Sequence, residues 1–124
     1  MRKSGLLNPD VAYAINRLGH TDTFAIGDCG LPIPEHVEVI DLALVFGIPR
    51  FADVVAAVLN EVVVEGATIA TATPAEVRDI LPDVELTEVD HKELKARLAE
   101  CSFVIRTGET TPYANVIFRS GVAF

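Results

Sequence analysis

The chain is 124 residues long, half of them hydrophobic but only 6% aromatic, with ten basic against eighteen acidic side chains and a formal charge of −8. That length suits one domain able to bury roughly two-thirds of its unfolded surface. An acidic balance excludes the clustered lysine and arginine that bind phosphate backbones, and the longest uncharged run, Gly66 to Ala75, has ten residues, about half a bilayer span.

At the amino terminus Met1-Arg2-Lys3 is basic, but only Gly5-Leu6-Leu7 follows before polar Asn8, too little for a secretory core. Asn8-Pro9-Asp10 opens a helix, because Asn8 is a good cap and Pro9 sits where its missing N–H costs nothing. Val11, Ala14, Ile15 and Leu18 recur at helical spacing, and Gly19 is expected as the left-handed residue that ends the helix. Thr23 to Gly27 is a short strand with Asp28 at its carboxyl end. Leu31-Pro32-Ile33-Pro34 is a rigid loop, since proline donates no ladder hydrogen bond. Val37 to Ala43 reads as a second strand, Phe51 to Leu59 as a buried helix, and Glu61 to Ala70 as a third strand. Thr73-Pro74-Ala75-Glu76 and Asp90-His91-Lys92-Glu93 both have the form of capping boxes, the second opening a helix with Leu94 and Leu98 four apart. Phe103 to Ile105 and Val116 to Phe118 are the last strands. Strands alternating with helices predict an α/β fold: a layered, largely parallel sheet flanked by helices, in a single domain.

Histidine alone among side chains titrates near neutral pH without perturbation. His20 lies in a tight loop between a helix and a strand, where a plain surface role is the ordinary reading of an isolated histidine. Asp28 is more pointed, because ligands of open α/β sheets gather outside the carboxyl ends of strands, although aspartate there is also a common turn residue. His36 reads as solvated, and His91 falls in the first turn of a helix. Tyr113 and Asn115, two apart and entering a strand, are expected on one side, an aromatic face with an amide that suits a polyhydroxylated ligand. A buried tyrosine at a strand start is the bland alternative. No HxH, HxxxH or HExxH spacing supports a metal site, and no glycine-rich phosphate loop or GxSxG is present. Cys29 and Cys101 lie 72 positions apart without a CxxC pair and read as two buried free thiols in a reducing cytoplasm.

Three separated strings then carry a resemblance: Arg17-Leu18-Gly19-His20-Thr21-Asp22-Thr23; Asp28-Cys29-Gly30-Leu31-Pro32-Ile33-Pro34; and Val104-Ile105-Arg106-Thr107-Gly108-Glu109 with Pro112-Tyr113-Ala114-Asn115. In this order they resemble the D-ribose pyranase family, which belongs with the fucose mutarotases. The match runs from Leu6 to Phe124. The run Gly30-Leu31-Pro32-Ile33-Pro34 and the presence of His91 favour the ribose branch over a fucose-type mutarotase. The resemblance implies one sugar ring-isomerising domain over residues 1–124 that needs neither metal nor organic cofactor and acts on free D-ribose. By matching positions, it makes His20 the proton donor and Asp28, His91, Tyr113, Ala114 and Asn115 the sugar-binding residues. Two departures stand out: Cys29 occupies a position where alanine is common, and the stretch from Thr71 to Val89 is short. A non-catalytic sugar-binding protein associated with ribose transport is the alternative from another class.

Composition leaves one oddity, a mean hydropathy of +0.36 in so acidic a chain. Relatives of this kind form closed rings, commonly decamers, so the resemblance implies a homodecamer that buries apolar surface between protomers. Nucleic acid and membrane are not expected as partners. The expected location is the cytoplasm.

Overall fold

The structure, a computed structural model, describes residues 1–124. Six strands form one sheet: β1 (Thr23–Gly27), β2 (Val39–Asp41), β3 (Val64–Ala70), β4 (Glu85–Val89), β5 (Val104–Arg106) and β6 (Val116–Ser120), in the order β2-β5-β1-β6-β3-β4. β2, β5 and β1 pair in parallel, as do β3 and β4, whereas β6 runs antiparallel to both β1 and β3. The α/β class and the mainly parallel sheet expected from the sequence are therefore present. One reversed strand lies inside the sheet. Its consequence is positional: the carboxyl ends of the other strands and the amino end of β6 share one rim.

Helices α1 (Pro9–Asn16), α2 (Phe51–Leu59) and α3 (Ala75–Arg78) cover one face, and α4 (His91–Arg97) with its 3-10 extension Leu98–Glu100 covers the other. On the first face Phe24, Phe103 and Phe118 pack at ring-centroid distances of 5.3 and 5.6 Å around Phe24, against Val54, Val55 and Val58 of α2. On the second, Leu94 and Leu98 meet Leu31, Val104 and Ile117. Burying each such side chain contributes roughly 1.5–3 kcal/mol relative to exposure. The second cluster fixes α4, and hence His91, against the sheet.

Local sequence signals account for several elements. Asn8 caps α1 by accepting the Val11 N–H at 3.0 Å, and Asp90 caps α4 by accepting the Glu93 N–H at 2.7 Å. β1 and α2 have the expected bounds. Other expectations need correction. Gly19 is not left-handed; α1 stops at Asn16 and the positive φ, +72°, falls on Thr21. The strand expected from Val37 to Ala43 has only three residues, because the Asp41 side chain accepts the Ala43 N–H and turns the chain away. β3 starts at Val64, since Glu61 and Val62 still donate to the Val58 carbonyl at the end of α2. At Thr73 no capping box forms: Pro74 holds the cap position of a four-residue helix, and Thr73 Oγ1 donates elsewhere. β4, unexpected, is an exposed edge strand whose Glu85, Thr87 and Glu88 hide it from any search for apolar runs.

Candidate active site

The shared rim collects most of the expected site. β1 ends at Gly27, beside Arg106 of β5, so Asp28 emerges at the middle of the sheet. Asn115, just before β6, sits next to it. Its side-chain Oδ1 accepts the Asp28 N–H at 2.9 Å and its Nδ2 donates to Asp28 Oδ2 at 2.9 Å. The other carboxylate oxygen of Asp28 accepts the Gly30 N–H at 2.9 Å. Both oxygens are thereby aimed, while a carboxylate's further lone pairs remain for hydroxyl donors. Gly27 makes this approach possible: a Cβ there would lie 2.8 Å from Asn115 Oδ1 and 2.6 Å from Leu31 Cδ2. Thr107, fully buried, ties β1 to β5 by donating to the Gly27 carbonyl at 2.8 Å.

His91, the first residue of α4, meets the Tyr113 ring edge-to-face with centroids 5.0 Å apart. Its Nδ1 is buried and has no hydrogen-bond partner in the protein. Tyr113 is 39% exposed at φ +64°. Its carbonyl accepts from Thr73 Oγ1 at 3.2 Å, and the Thr71–Thr73 segment is clamped by Arg78, which donates to the carbonyls of Thr73 and Thr71. Ala114 is fully buried between Tyr113 and Asn115. The expectation that Tyr113 and Asn115 project to one side by strand pleat fails, because both precede β6 and the left-handed Tyr113 turns the chain. They meet the rim by different routes, the ring on His91 and the amide on Asp28.

His20 is elsewhere. It precedes β1, and β1, at about 3.3 Å per residue, separates the two rims by roughly 13 Å. There His20 Nε2 lies 3.0 Å from Glu65 Oε2, and Glu65 Oε1 accepts from Arg119 Nε at 3.1 Å. The His20 ring, 51% exposed, has no other hydrogen bond. The tight turn is closed by Asp22 N–H donating to Gly19 O, and Asp22 Oδ2 accepts the Gly19 N–H at 2.7 Å. A β-branched residue at the φ of Thr21 is rare and strained, of order 1–3 kcal/mol. The only two non-glycine residues with positive φ are Thr21 and Tyr113, one at each rim. Hydrogen bonding to His20 and Arg119, against some desolvation, holds the Glu65 carboxyl below its ordinary value. Neither Glu65 nor Arg119 belongs to a motif that marks it in the sequence, and each lies 45 or more positions from its partner across the sheet.

Beside Asp28 the chain offers an apolar arm. The segment Ala43 to Phe46 exposes Leu44 by 77%, Val45 by 57% and Phe46 by 85%, and with Cys29 it lines an open, wholly hydrophobic hollow. Cys29 and Cys101 are free thiols; Cys101 is buried as expected, but Cys29 is only half-buried, because it lines this open hollow. No helix is long and apolar enough to cross a membrane.

Comparison with known proteins gives consistent results. The model of the RbsD / FucU transport protein family matches residues 1–123. The D-ribose pyranase of Corynebacterium glutamicum strain R is 70% identical over 124 residues, covering all of both chains. That of Clostridium perfringens strain ATCC 13124 is 48% identical over 131 residues, again covering all of both. The structure of Bacillus subtilis RbsD complexed with D-ribose superposes with a TM-score of 0.93 at 40% identity, covering each chain in full.

Proposed function

The chain belongs to the RbsD / FucU family, and from that premise we propose that it is a D-ribose pyranase, an isomerase that interconverts the pyranose and furanose forms of free D-ribose without a cofactor. The observation that carries this reading is the 70% identity to a D-ribose pyranase across the whole of both chains. Residues 1–124 work as one ring-isomerising unit.

The chemistry is proton transfer. A proton enters the pyranose ring oxygen as the C1–O5 bond breaks, and the anomeric hydroxyl loses its proton to give the aldehyde. The C4 hydroxyl then closes onto C1, and the two protons are returned in reverse roles. Asp28 accepts from sugar hydroxyls, and Asn115 holds it in place. His91 offers its unpartnered Nδ1 to a hydroxyl, which relieves the cost of about 1–3 kcal/mol for a polar atom buried alone. Tyr113 packs its ring on sugar C–H groups, and Ala114 contributes backbone. His20 supplies the proton to the ring oxygen, a role worth roughly 10²- to 10⁴-fold in rate for one general acid–base group.

Within one protomer His20 and Asp28 stand at opposite rims. The site is therefore shared: a neighbouring copy brings its His20 to this chain's Asp28. The protein is read accordingly as a homo-oligomer, in a closed ring such as a decamer, that acts in the cytoplasm. Support comes from the exposed apolar arm next to Asp28, a surface suited to burial between protomers.

Saturation-transfer NMR on D-ribose at equilibrium tests the activity. Wild type is expected to exchange pyranose and furanose signals faster than the buffer rate, and His20→Ala to lose at least a hundredfold of that acceleration. Saturable ribose binding by the wild type without accelerated exchange would instead identify a sugar-binding protein.

A further inference from the structure

On the face that carries α4, Leu94 and Leu98 pack on Ala25 and Ile117, but toward the starts of β3 and β4 the same face turns polar. Ile117 pairs with Thr68, and Thr68 with Thr87. Two residues along, Thr23 pairs with Arg119, Arg119 with Gly66, and Gly66 with Glu85. Side chains alternate along a strand, so these two rows share the face of Ile117, while Ala67 between them points into the opposite core. Arg97 and Glu100, at the far end of α4 and its 3-10 extension, form a wall, and the enclosed cleft measures about 170 Å³. That is below the roughly 300–1,000 Å³ of pockets for drug-sized ligands, so any occupant is small. Gly66 shapes the floor: a Cβ there would sit 3.1 Å from Arg119 Nη2, and its absence lets the guanidinium lie close against β3. The cleft lies at the rim of His20, opposite Asp28.

We propose that this cleft is a second binding site, for a small neutral polyhydroxylated molecule such as a free monosaccharide. Its hydrogen-bonding capacity is only partly used. Arg97 donates from Nε to Glu93 at 3.1 Å, and Arg119 from Nε to Glu65 at 3.1 Å, so the terminal nitrogens of both keep N–H groups to give. Arg119 Nη2 stands 3.8 Å from Glu85 Oε2, beyond hydrogen-bond distance. Thr23 Oγ1 donates to the Glu100 carbonyl at 3.5 Å and keeps its lone pairs, while Thr68 and Thr87 add two more hydroxyls. Charge selects the class of ligand. Two guanidiniums face two carboxylates inside the cleft, and Glu93 and Glu65 already neutralise the guanidiniums from outside it, which leaves no excess positive charge for an anion. A cation would meet Arg97 and Arg119 directly. Donors and acceptors set side by side without net charge match a molecule whose every hydroxyl both gives and takes a hydrogen bond. Arg119 also places the cleft one residue from the His20 contact, because the Glu65 carboxylate it holds lies 3.0 Å from His20 Nε2.

The test is equilibrium dialysis of full-length protein against labelled D-ribose, with NMR ring exchange measured in parallel. The choice of ribose as probe rests on the pyranase reading. Wild type is expected to bind two sugars per chain, and Asp28→Ala to keep one. Thr68→Val combined with Thr87→Val preserves side-chain volume and strand preference while removing two hydroxyls. It is expected to weaken the site that survives in Asp28→Ala at least tenfold and to leave ring exchange at low ribose at the wild-type rate. Sedimentation and circular dichroism identical to wild type confirm the fold; should the valine pair fail that check, Arg97→Gln, which keeps α4 but removes the guanidinium, is expected to weaken the same site. One sugar per chain in wild type would overturn the proposal, as would two that persist unchanged in these variants. Displacement of the sugar left in Asp28→Ala by inorganic phosphate or glycine at lower concentration than by unlabelled ribose would mark a charged ligand and equally overturn it. A wild type that binds two sugars per chain without accelerating exchange would refute the pyranase reading and leave this site standing.

Discussion

Thr21 shows how the His20 turn is held. Its amide donates to the Ser120 carbonyl at 2.9 Å, and Ser120 in turn donates to Asp22 at 2.8 Å, so β6 grips the turn on both sides of a residue that disfavours its own φ. Relief of that conformation is worth about 1–2 kcal/mol, partly offset by the extra unfolded-state freedom of glycine, about 0.5–1 kcal/mol. Thr21→Gly is therefore expected to raise unfolding free energy in urea by up to about 1.5 kcal/mol while slowing ring exchange, since the turn presenting His20 loosens. A variant both less stable and equally active would contradict this account. Residue chemistry at the site was legible in sequence: His20, Asp28, His91, Tyr113 and Asn115 were all candidates on residue type and position. The strain at Thr21 and Tyr113 was not, because neither is a glycine or asparagine that would advertise a positive φ.

At the scale of elements, α2 and α4 make a useful contrast. The cap of α4 is local, Asp90 to Glu93, and was readable as a short motif. α2 begins after Arg50 with no side-chain cap of its own. Glu109, 58 positions away, supplies one by accepting the Phe51 N–H at 3.1 Å, and it also accepts from Thr111 and from the Thr110 amide. Desolvation pushes the Glu109 carboxyl up, but the bonds from Phe51 and Thr111 outweigh it and leave its value lowered. A carboxyl with a depressed folded value contributes stability above its unfolded value, near 4.5, and loses it as pH falls through the lowered one. Glu109→Ala is expected to cost about 1 kcal/mol at neutral pH, the usual price of a lost N-cap. The gap between the variant and wild type should narrow below pH 4.5 in denaturant titrations; a gap independent of pH would show that the carboxylate is not the capping group. Thr73 fits the same contrast: its motif announced a local cap, but tertiary contact with Tyr113 claimed the hydroxyl instead.

Across the whole molecule, the decisive feature is the single reversed strand. Because β6 enters at the rim where β1, β5, β3 and β4 end, Asn115 reaches Asp28, and because β6 leaves at the other rim, Arg119 reaches Glu65 beside His20. The proposed pairing of His20 with Asp28, split in this way, predicts complementation. Mixing inactive His20→Ala with inactive Asp28→Asn under conditions that exchange protomers should restore part of the ring-exchange activity, since some mixed sites carry two intact halves. No recovery, with exchange of protomers verified, would show that each chain holds a complete site. Phe46→Glu, which places a charge on the 85% exposed tip of the apolar arm, is expected to shift sedimentation toward smaller species and to lower exchange in parallel. Part of the high mean hydropathy of this acidic chain lies here, on an exposed apolar arm rather than in the core. What the sequence determined by itself was whatever closes within a few residues: the caps at Asn8 and Asp90, the bounds of β1 and α2, the α/β alternation, and the three strings that marked the family. Only the tertiary structure decided that Asp28 meets Asn115 across 87 positions, that Glu65 meets His20 across 45, and that His20 and Asp28 lie apart. Strand order and the direction of β6 set those distances, and both arise from packing the whole sheet rather than from any local preference along the chain.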